Sequence, residues 1–211
     1  MRFLLITLLS LVATADAGAQ IGRPRYQLAQ PAAWVSGGAG LVQSFTVVDG
    51  TTKSQWDFGS TTQYVASLEK TVSAGITAGL RASTAKTTLR YSAGGTQTDA
   101  DANVSQLFGT VRVANGQGFH SVLELSAGAT AYSNFRARPT GTKLLPDKPD
   151  ADFSFAFGYG FGYSFSPAFA IDVVQDITTS LHQKTGLSAS EDSSVRLHGT
   201  RLVARFGLGG K

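Results

Sequence analysis

Four charged residues near the end of the chain have a spacing that allows two ion pairs. Asp172 and Asp176 lie four residues apart in one candidate β-strand, and the next candidate strand holds Arg201 and Arg205 at the same separation. In an antiparallel pair of strands, the residue numbers of facing positions have a constant sum, so one register can place each aspartate opposite an arginine. The spacing therefore predicts Asp172 opposite Arg205 and Asp176 opposite Arg201.

Four more charged residues fall on the polar rows of other candidate strands: Glu69, Arg81, Arg112 and Glu124. We expect the strands to enclose one interior, or lumen. All of these side chains should project into it and form a lumen ion-pair network with the first four. A buried charge without a partner is costly, so such an interior has to be hydrogen-bonded throughout. The pattern predicts a plugged polar lumen rather than an open pore.

Two other groups of residues could carry chemistry, and their spacing argues against both. His120 and Ser121 precede Glu124 in FHSVLE, but adjacent residues of a strand point to opposite faces and cannot readily share a proton. His182 and His198 lack clustered carboxylates in the sequence, which favours ordinary polar rim residues over a metal site. We therefore expect no catalytic residues, no metal and no cofactor.

Alternation of apolar and polar residues along most of the chain predicts that β-strands hold these side chains. Eight segments have this pattern, at about residues 32–48, 55–69, 72–91, 102–114, 119–133, 152–165, 169–182 and 194–208. In the second segment, Trp56, Phe58 and Tyr64 fall on one apolar row, which we expect to face outward. In the last segment, Val195 and Leu197 are out of phase with the apolar row that follows, which predicts a β-bulge just after them.

The sixth segment, FSFAFGYGFGYSF, has an aromatic residue at every second position, with only Ser, Ala or Gly between. All of the rings must lie on one face of the strand: Phe153, Phe155, Phe157, Tyr159, Phe161, Tyr163 and Phe165. We expect this row to face lipid. A three-residue turn at 166–168 would pair Phe165 with Phe169 and place Gly162 and Gly158 opposite the two inward aspartates of the next strand.

Composition and the N-terminus bound the class of protein. The chain has 211 residues, no Cys and a formal net charge of +4. It begins MRFLLITLLSLVATADAGAQ, in which Arg2 precedes an apolar run and then small residues. This pattern predicts a signal peptide at residues 1–19, a short periplasmic segment at 20–31 and one barrel domain at 32–211. The positive charge is spread too thinly along the chain to indicate nucleic-acid binding.

The connections between segments alternate between long and short. Four are long and polar: DGTTKS, SAGGTQTDAD, NFRARPTGTKLLPDKPDA and HQKTGLSASEDSS. Tight turns lie between them at 70–71, 115–118 and 166–168. Outer-membrane barrels have this arrangement, with short periplasmic turns and longer external loops.

Across residues 32–208 the chain resembles the small eight-stranded outer-membrane β-barrel proteins of the OmpA and OmpX type. The resemblance is carried by the N-terminal segment, the alternating strands, FGYGFGYSFSP and the closing TRLVARF. One departure is that the chain continues from Phe206 through GLGGK, whereas such proteins commonly end on an aromatic residue.

The resemblance implies an all-β, eight-stranded antiparallel up-and-down transmembrane β-barrel in the outer membrane. It implies contact with outer-membrane lipids and the barrel-assembly machinery. It also implies a monomer without enzymatic activity, which has a structural or surface-interaction role and meets an unknown surface partner through its long external loops. Two alternatives remain open from the sequence: a narrow channel or small hydrophobic-solute conduit, and a soluble periplasmic lipocalin-like binding barrel.

Overall fold

The computed structural model describes residues 30–114, 117–183 and 194–209. Ten β-strands account for most of them: β1 Ala33–Val42, β2 Phe45–Asp49, β3 Ser54–Phe58, β4 Thr61–Ser73, β5 Ile76–Ala93, β6 Thr96–Ala114, β7 Gly118–Ala137, β8 Asp150–Ser166, β9 Phe169–Ser180 and β10 Val195–Leu208. Within those ranges, no helix is long and apolar enough to cross a membrane. The predicted signal peptide lies outside the described residues, as does all but the end of the predicted periplasmic segment.

Eight of the strands close into an antiparallel barrel, in the order β1, β4, β5, β6, β7, β8, β9 and β10. Pairing of the first strand with the last closes the ring, from Ala33 opposite Leu208 to Val42 opposite Gly199. Closure removes the unpaired edges of the sheet, which a bilayer requires because it offers the backbone no hydrogen bonds. The predicted all-β, eight-stranded antiparallel barrel is confirmed.

The other two strands, β2 and β3, form a hairpin inserted between the first two barrel strands. β2 pairs with β3, with Phe45 opposite Phe58, and β3 also pairs with the far end of β5. The hairpin therefore extends the barrel wall on one side of the mouth. The sequence pattern predicts that each arm continues a barrel strand, but both arms are interrupted, at residues 43–44 and 59–60.

The interruption before β4 reverses which residues face the interior. In β3, Trp56 and Phe58 are 0% and 2% exposed and point inward. In β4, Tyr64 is 67% exposed on the outside, although it has the same residue-number parity. Residues 59–60 belong to neither strand, so the alternation does not carry across them. The prediction that Trp56 and Phe58 face outward is therefore wrong, and both rings fill the barrel mouth instead.

The outer surface carries an apolar belt, and the row on β8 is its densest part. The seven rings from Phe153 to Phe165 are 38% to 60% exposed. Aliphatic side chains of neighbouring strands are also exposed around the barrel: Leu68, Val72, Leu80, Leu107, Val111, Leu125, Val173 and Leu202. With this belt outside and charged side chains inside, the barrel has the reverse of the arrangement found in a soluble protein.

The inner face of β8 is fitted to the charges of β9. Gly162 lies opposite Asp172 and Gly158 opposite Asp176, which confirms the predicted register of these two strands. A Cβ atom at Gly162 would collide with the Asp172 carboxylate and approach His120 Nε2 to 2.7 Å. A Cβ atom at Gly158 would approach Asp176 Oδ1 to 3.0 Å. The bare backbone therefore provides the space that the buried charges occupy.

The register of β9 and β10 is two residues away from the predicted one. Asp172 lies opposite Val203, and Asp176 lies opposite Gly199. The ladder also runs without a shift through the position of the predicted bulge, so that bulge is absent from this described pair. A shift of two residues keeps each side chain on its own face. The charged side chains of both strands still point inward, but they do not face each other.

The two ends of the barrel differ in their connections. β4–β5 and β8–β9 are joined by two residues each, at 74–75 and 167–168. The second turn is shorter than predicted, because a bulge places Ser166, rather than Phe165, opposite Phe169.

The opposite end carries the inserted hairpin and residues 138–149. The predicted loop at 92–101 is wrong, because β5 and β6 continue to a tight turn at Gly94 and Gly95. Both glycines have positive φ, 57° and 79°, which suits a two-residue hairpin turn.

Candidate functional site

The barrel interior is divided into a charged layer and an apolar layer. The charged layer consists of the side chains predicted to form the lumen network, all of them at most 7% exposed: Glu69, Arg81, Arg112, Glu124, Asp172, Asp176, Arg201 and Arg205. They project from β4, β5, β6, β7, β9 and β10. Four are acids and four are arginines, so the layer has no net formal charge.

Glu124 is the centre of this layer. Its Oε2 accepts a hydrogen bond from Arg81 Nη1 at 2.8 Å, and its Oε1 accepts one from Arg112 Nη1 at 2.6 Å. Arg201 Nη2 also donates to Glu124 Oε2. Asp176 accepts from Arg201 Nε at 2.7 Å and from Arg81 Nη1 at 3.2 Å. Two acids and two arginines therefore form a closed ring of ion pairs, which Arg112 extends.

Asp172 and Glu69 lie on the flanks of this ring. Asp172 Oδ2 accepts from Arg112 Nη2 at 2.6 Å, and His120 Nε2 lies 3.0 Å from Asp172 Oδ1. Glu69 Oε2 accepts from Arg205 Nη2 at 2.5 Å. Each acid of the layer thus has at least one arginine partner. Within the described residues, two donors of the layer lack a hydrogen-bond partner, namely Arg112 Nε and Arg205 Nε.

One of the two predicted aspartate–arginine pairs is present. Arg201 reaches Asp176 diagonally across the β9–β10 ladder. The other prediction is wrong, because Arg205 binds Glu69 while Asp172 binds a different arginine. The shift in register moves Arg205 toward the short-turn end of the barrel and away from Asp172.

The residues of FHSVLE do not form a catalytic group. His120 is buried in the lumen beside Asp172, whereas Ser121 is exposed on the outer face. Glu124 binds the arginines of the charged layer. A nucleophile and a general base would have to lie within hydrogen-bond reach of each other, and these side chains lie on opposite sides of the barrel wall.

The apolar layer fills the mouth at the end with the long connections. Its buried members are Phe45, Val47, Trp56, Phe58, Leu89, Tyr91, Ala100, Ala102, Val104, Tyr132, Phe135, Val195 and Leu197. The Trp56 and Phe135 ring centroids are 4.7 Å apart, and Leu144 of the β7–β8 connection packs against the cluster. Val195 and Leu197 point inward into this layer, so their phase needs no bulge. Alternation in the sequence did not reveal that the lumen has an apolar section.

A small cavity lies between the two layers. Its lining includes Phe45 and Leu197 of the apolar layer and Arg81, Asp176 and Arg201 of the charged layer. Its volume is about 30 Å³. One water molecule needs roughly 10–15 Å³ of such space, so the cavity has room for about two waters and is too small for a metabolite.

The rim at the end with the long connections holds a histidine among carboxylates. His182 follows β9, and its side chain is 0% exposed. Its Nδ1 lies 2.9 Å from Asp152 Oδ2 and 3.7 Å from Asp150 Oδ2, and its Nε2 lies 4.0 Å from Asp49 Oδ2. The prediction that His182 lacks clustered carboxylates is therefore wrong, because they come from distant segments. His198, the other histidine considered, lies opposite Ile177 and is only partly buried.

The carboxylates of the rim alter the pKa of His182. Burial lowers the pKa of His182, but the hydrogen bond to Asp152 and the negative charges of all three aspartates raise it above its ordinary value overall. Burial raises the pKa of Asp150. The rim is thus a site where negative charge is concentrated in a poorly hydrated environment.

The β7–β8 connection is held against the mouth at several points. Leu144 N donates to Phe135 O at 3.0 Å, and Arg138 N donates to Asp99 O at 2.7 Å. The Arg138 side chain also pairs with Asp101. Several side chains of the connection remain exposed: Thr140, Thr142, Lys143, Leu145, Asp147 and Lys148. The connection therefore presents both polar and charged side chains to solvent at this end of the barrel.

No family model and no curated protein matches the chain. Solved structures do match it. The outer membrane protein OprG from Pseudomonas aeruginosa is 13% identical, and the match covers 85% of this chain and 94% of that chain with a TM-score of 0.54. Neisserial surface protein A is 12% identical, and the match covers 86% of this chain and 100% of that chain with a TM-score of 0.58. This chain has the fold of the small outer-membrane β-barrels.

The fold and the apolar belt together make the chain an outer-membrane barrel. A soluble lipocalin-like barrel does not fit, because it would expose the aromatic row of β8 to water and keep the ion-pair layer in its binding cavity. The described lumen instead contains packed side chains, as expected for a barrel of eight strands.

Proposed function

We propose that this protein is a non-enzymatic outer-membrane barrel with a closed lumen, which acts through interactions at its external end. It contacts outer-membrane lipids through the belt, is inserted by the barrel-assembly machinery and works as a monomer. The observation that supports closure is the charged layer, in which the Glu124 carboxylate binds three guanidinium groups. The exposed β7–β8 connection is the surface offered to a partner.

Closure of the lumen follows from the energetics of buried ion pairs. An ion that crossed the layer would have to separate charges that are joined at 2.6 to 3.2 Å and shielded from water. Removing one partner of a buried pair typically costs about 3–5 kcal/mol, because the other charge is left buried and uncompensated. Separating the two charges transiently, as a passing ion would require, is opposed for the same reason. The apolar layer above it is a second barrier, because an ion cannot be hydrated among packed rings.

Conductance in planar bilayers tests closure. We expect no steady single-channel conductance from the unmodified protein. Glu124→Ala should increase ion leakage, because it leaves three guanidinium groups without their common acceptor. Ser121→Ala, on the outer face of the same strand, is the matched control and should leave conductance unchanged. A large steady conductance in the unmodified protein would contradict a closed lumen.

Cysteine labelling tests which end of the barrel is external. The chain has no cysteine, so a single cysteine can be introduced without interference. In intact cells, a membrane-impermeant maleimide should label Thr142→Cys in the β7–β8 connection. It should not label Gln117→Cys, which is exposed at the short-turn end. The opposite labelling pattern would invert the topology and remove the connection from the cell surface.

A conduit for small hydrophobic solutes is the second candidate. The β1–β10 ladder ends at Val42–Gly199, and β2 then pairs with β3. Gln43 N still donates to His198 O at 2.8 Å, but beyond this bond the described β2 does not pair with β10, so the ladder ends beside the apolar layer, where His198 lines the small cavity. Entry of a small aromatic hydrocarbon into vesicles containing the protein, at a rate above that of empty vesicles, would favour this candidate over a closed barrel.

A further inference from the structure

Three segments that are far apart in sequence bring potential metal ligands together at the external rim. Asp49 ends β2, Asp150 begins β8, and His182 follows β9. Each residue offers one ligand atom, and these atoms all lie within 4.8 Å of one another. Carboxylate oxygens and an imidazole nitrogen are the usual ligands of divalent zinc and related ions.

The imidazole of His182 is arranged as a metal ligand is. Its Nδ1 lies 2.9 Å from the Asp152 carboxylate, so the proton on Nδ1 is held there. A carboxylate that fixes one ring nitrogen of a histidine leaves the other nitrogen available to a metal. Across residues 30–114, 117–183 and 194–209, Nε2 is buried and has no hydrogen-bond partner. An unpaired buried nitrogen is unfavourable, which indicates that a ligand completes this site.

The Asp49 carboxylate is also oriented toward that nitrogen. Its Oδ1 accepts hydrogen bonds from Gln183 Nε2 at 2.6 Å and from Thr52 N at 2.8 Å. Gln183 is itself held by Gly50 N, which donates to its Oε1 at 2.8 Å. The second oxygen, Oδ2, is left facing His182 Nε2 at 4.0 Å. Two independent sets of hydrogen bonds thus direct a carboxylate oxygen and an imidazole nitrogen at the same space.

The charge of the rim favours a cation. Asp49, Asp150 and Asp152 surround one imidazole, and within the described part of the chain no lysine or arginine forms an ion pair with any of them. The Asp150 side chain is 33% exposed, so the space is reachable from outside while Asp49 and His182 are buried. A divalent cation would neutralise the excess negative charge.

We propose that Asp49, Asp150 and His182 bind a divalent transition-metal cation of the Zn²⁺ class, with Asp152 positioning the imidazole. Zinc ligands lie about 2.0–2.2 Å from the metal, which places tetrahedral ligands about 3.4 Å apart. The ligand atoms, which lie within 4.8 Å of one another, would approach by up to about 1.4 Å, and the fourth position is left to water. The bound ion joins the β2–β3 hairpin to β8 and β9 across the mouth. This proposal is independent of what the external end binds.

Calorimetric titration of the full chain, refolded without an affinity tag, tests the site with Zn²⁺ as the probe. We expect one Zn²⁺ per chain. Asp49→Asn, Asp150→Asn and His182→Gln should each weaken binding by about tenfold or more. Asp147→Asn, which changes an exposed carboxylate in the connection just before Asp150, is the matched control and should bind as the unmodified protein does.

A second measurement keeps the test decisive if a buried substitution prevents folding. Asp150 is partly exposed, so Asp150→Asn is the variant that we expect to fold. The mobility shift of an unboiled sample on a gel tests whether it has folded. Zn²⁺ should also slow tryptic cleavage at Lys53, the exposed residue at the tip of the hairpin, in the unmodified protein but not in Asp150→Asn.

Three results would overturn the proposal. They are absence of Zn²⁺ binding by the folded protein, unchanged Zn²⁺ binding by folded Asp150→Asn, and equal affinity for Ca²⁺. Equal affinity would contradict the imidazole ligand, because Ca²⁺ prefers a larger set of oxygen ligands.

Discussion

Two aspartate–arginine pairs with the same spacing in sequence should differ in their energetic coupling. Asp176 and Arg201 are joined by hydrogen bonds of 2.7 and 3.3 Å. Asp172 and Arg205 have the same relation in sequence, but each binds another residue of the charged layer. We predict a large coupling energy for the first pair and a small one for the second. The second pair is therefore an internal control for the first.

The expected magnitudes follow from what each substitution leaves behind. Asp176→Ala removes the carboxylate that accepts two hydrogen bonds from Arg201, and a broken buried pair costs about 3–5 kcal/mol. Arg201 retains Glu124 as a partner, so we expect the lower end of that range. The double substitution removes both charges and should cost less than the sum of the single ones, with a coupling of about 1–3 kcal/mol.

For Asp172→Ala and Arg205→Ala the effects should add. The two side chains share no hydrogen bond, and non-partners usually add within about 0.5 kcal/mol. The free energy of unfolding is measured by urea titration of the protein refolded into lipid vesicles, for the four single variants and the two double variants. Gel mobility of unboiled samples confirms that each variant folds. A coupling in the Asp172–Arg205 pair that equals or exceeds that of Asp176–Arg201 would refute the observed register of β9 and β10.

Three further substitutions test the belt, the apolar layer and the fit of β8, each by the free energy of unfolding. Phe157→Arg, in the middle of the exposed aromatic row, should destabilise the barrel by about 2–4 kcal/mol, whereas Thr142→Arg in the exposed connection should have little effect; equal tolerance would contradict a lipid-facing row. Trp56→Ala should cost about 3–5 kcal/mol because the ring is fully buried. A cost near zero would contradict the burial of this ring in the apolar layer. Gly162→Ala should cost about 1–3 kcal/mol, because the added methyl group collides with a buried carboxylate. Gly37→Ala, with open space around it, should be close to neutral. Equal effects of the two substitutions would contradict the close fit of β8 to the buried aspartate.

The strand pattern could be predicted where burial imposes a strict alternation. β8 and β9 show this, because large rings on one face and bare glycines on the other leave one register in which Asp172 and Asp176 fit. A shift by one residue would turn the aspartates into lipid, so the pattern specifies which face each residue occupies. The inward direction of the eight charges follows from the same constraint.

Spacing along neighbouring strands predicted only one of the two aspartate–arginine pairs correctly, Asp176 with Arg201. A two-residue shift of β10 against β9 preserves every face, so alternation does not distinguish the observed register from the expected one. Several partners also meet across the lumen rather than along a ladder. Arg112 of β6 reaches Asp172 of β9, and Arg205 of β10 reaches Glu69 of β4. Such contacts depend on how the barrel closes, and the spacing of charged residues along the sequence gives no information about closure.

The interruptions at residues 43–44 and 59–60 have the largest consequence for function. In β1, even-numbered residues such as Ser36 face inward, whereas in β2 the inward residues are odd-numbered and include Asp49, which is 2% exposed. If β1 continued without a break, Asp49 would point outward, away from His182. The same change of phase turns Trp56 inward in β3. These two short polar breaks turn the apolar rings inward and direct the Asp49 carboxylate toward the rim histidine. A prediction that assumes continuous strands misses both features.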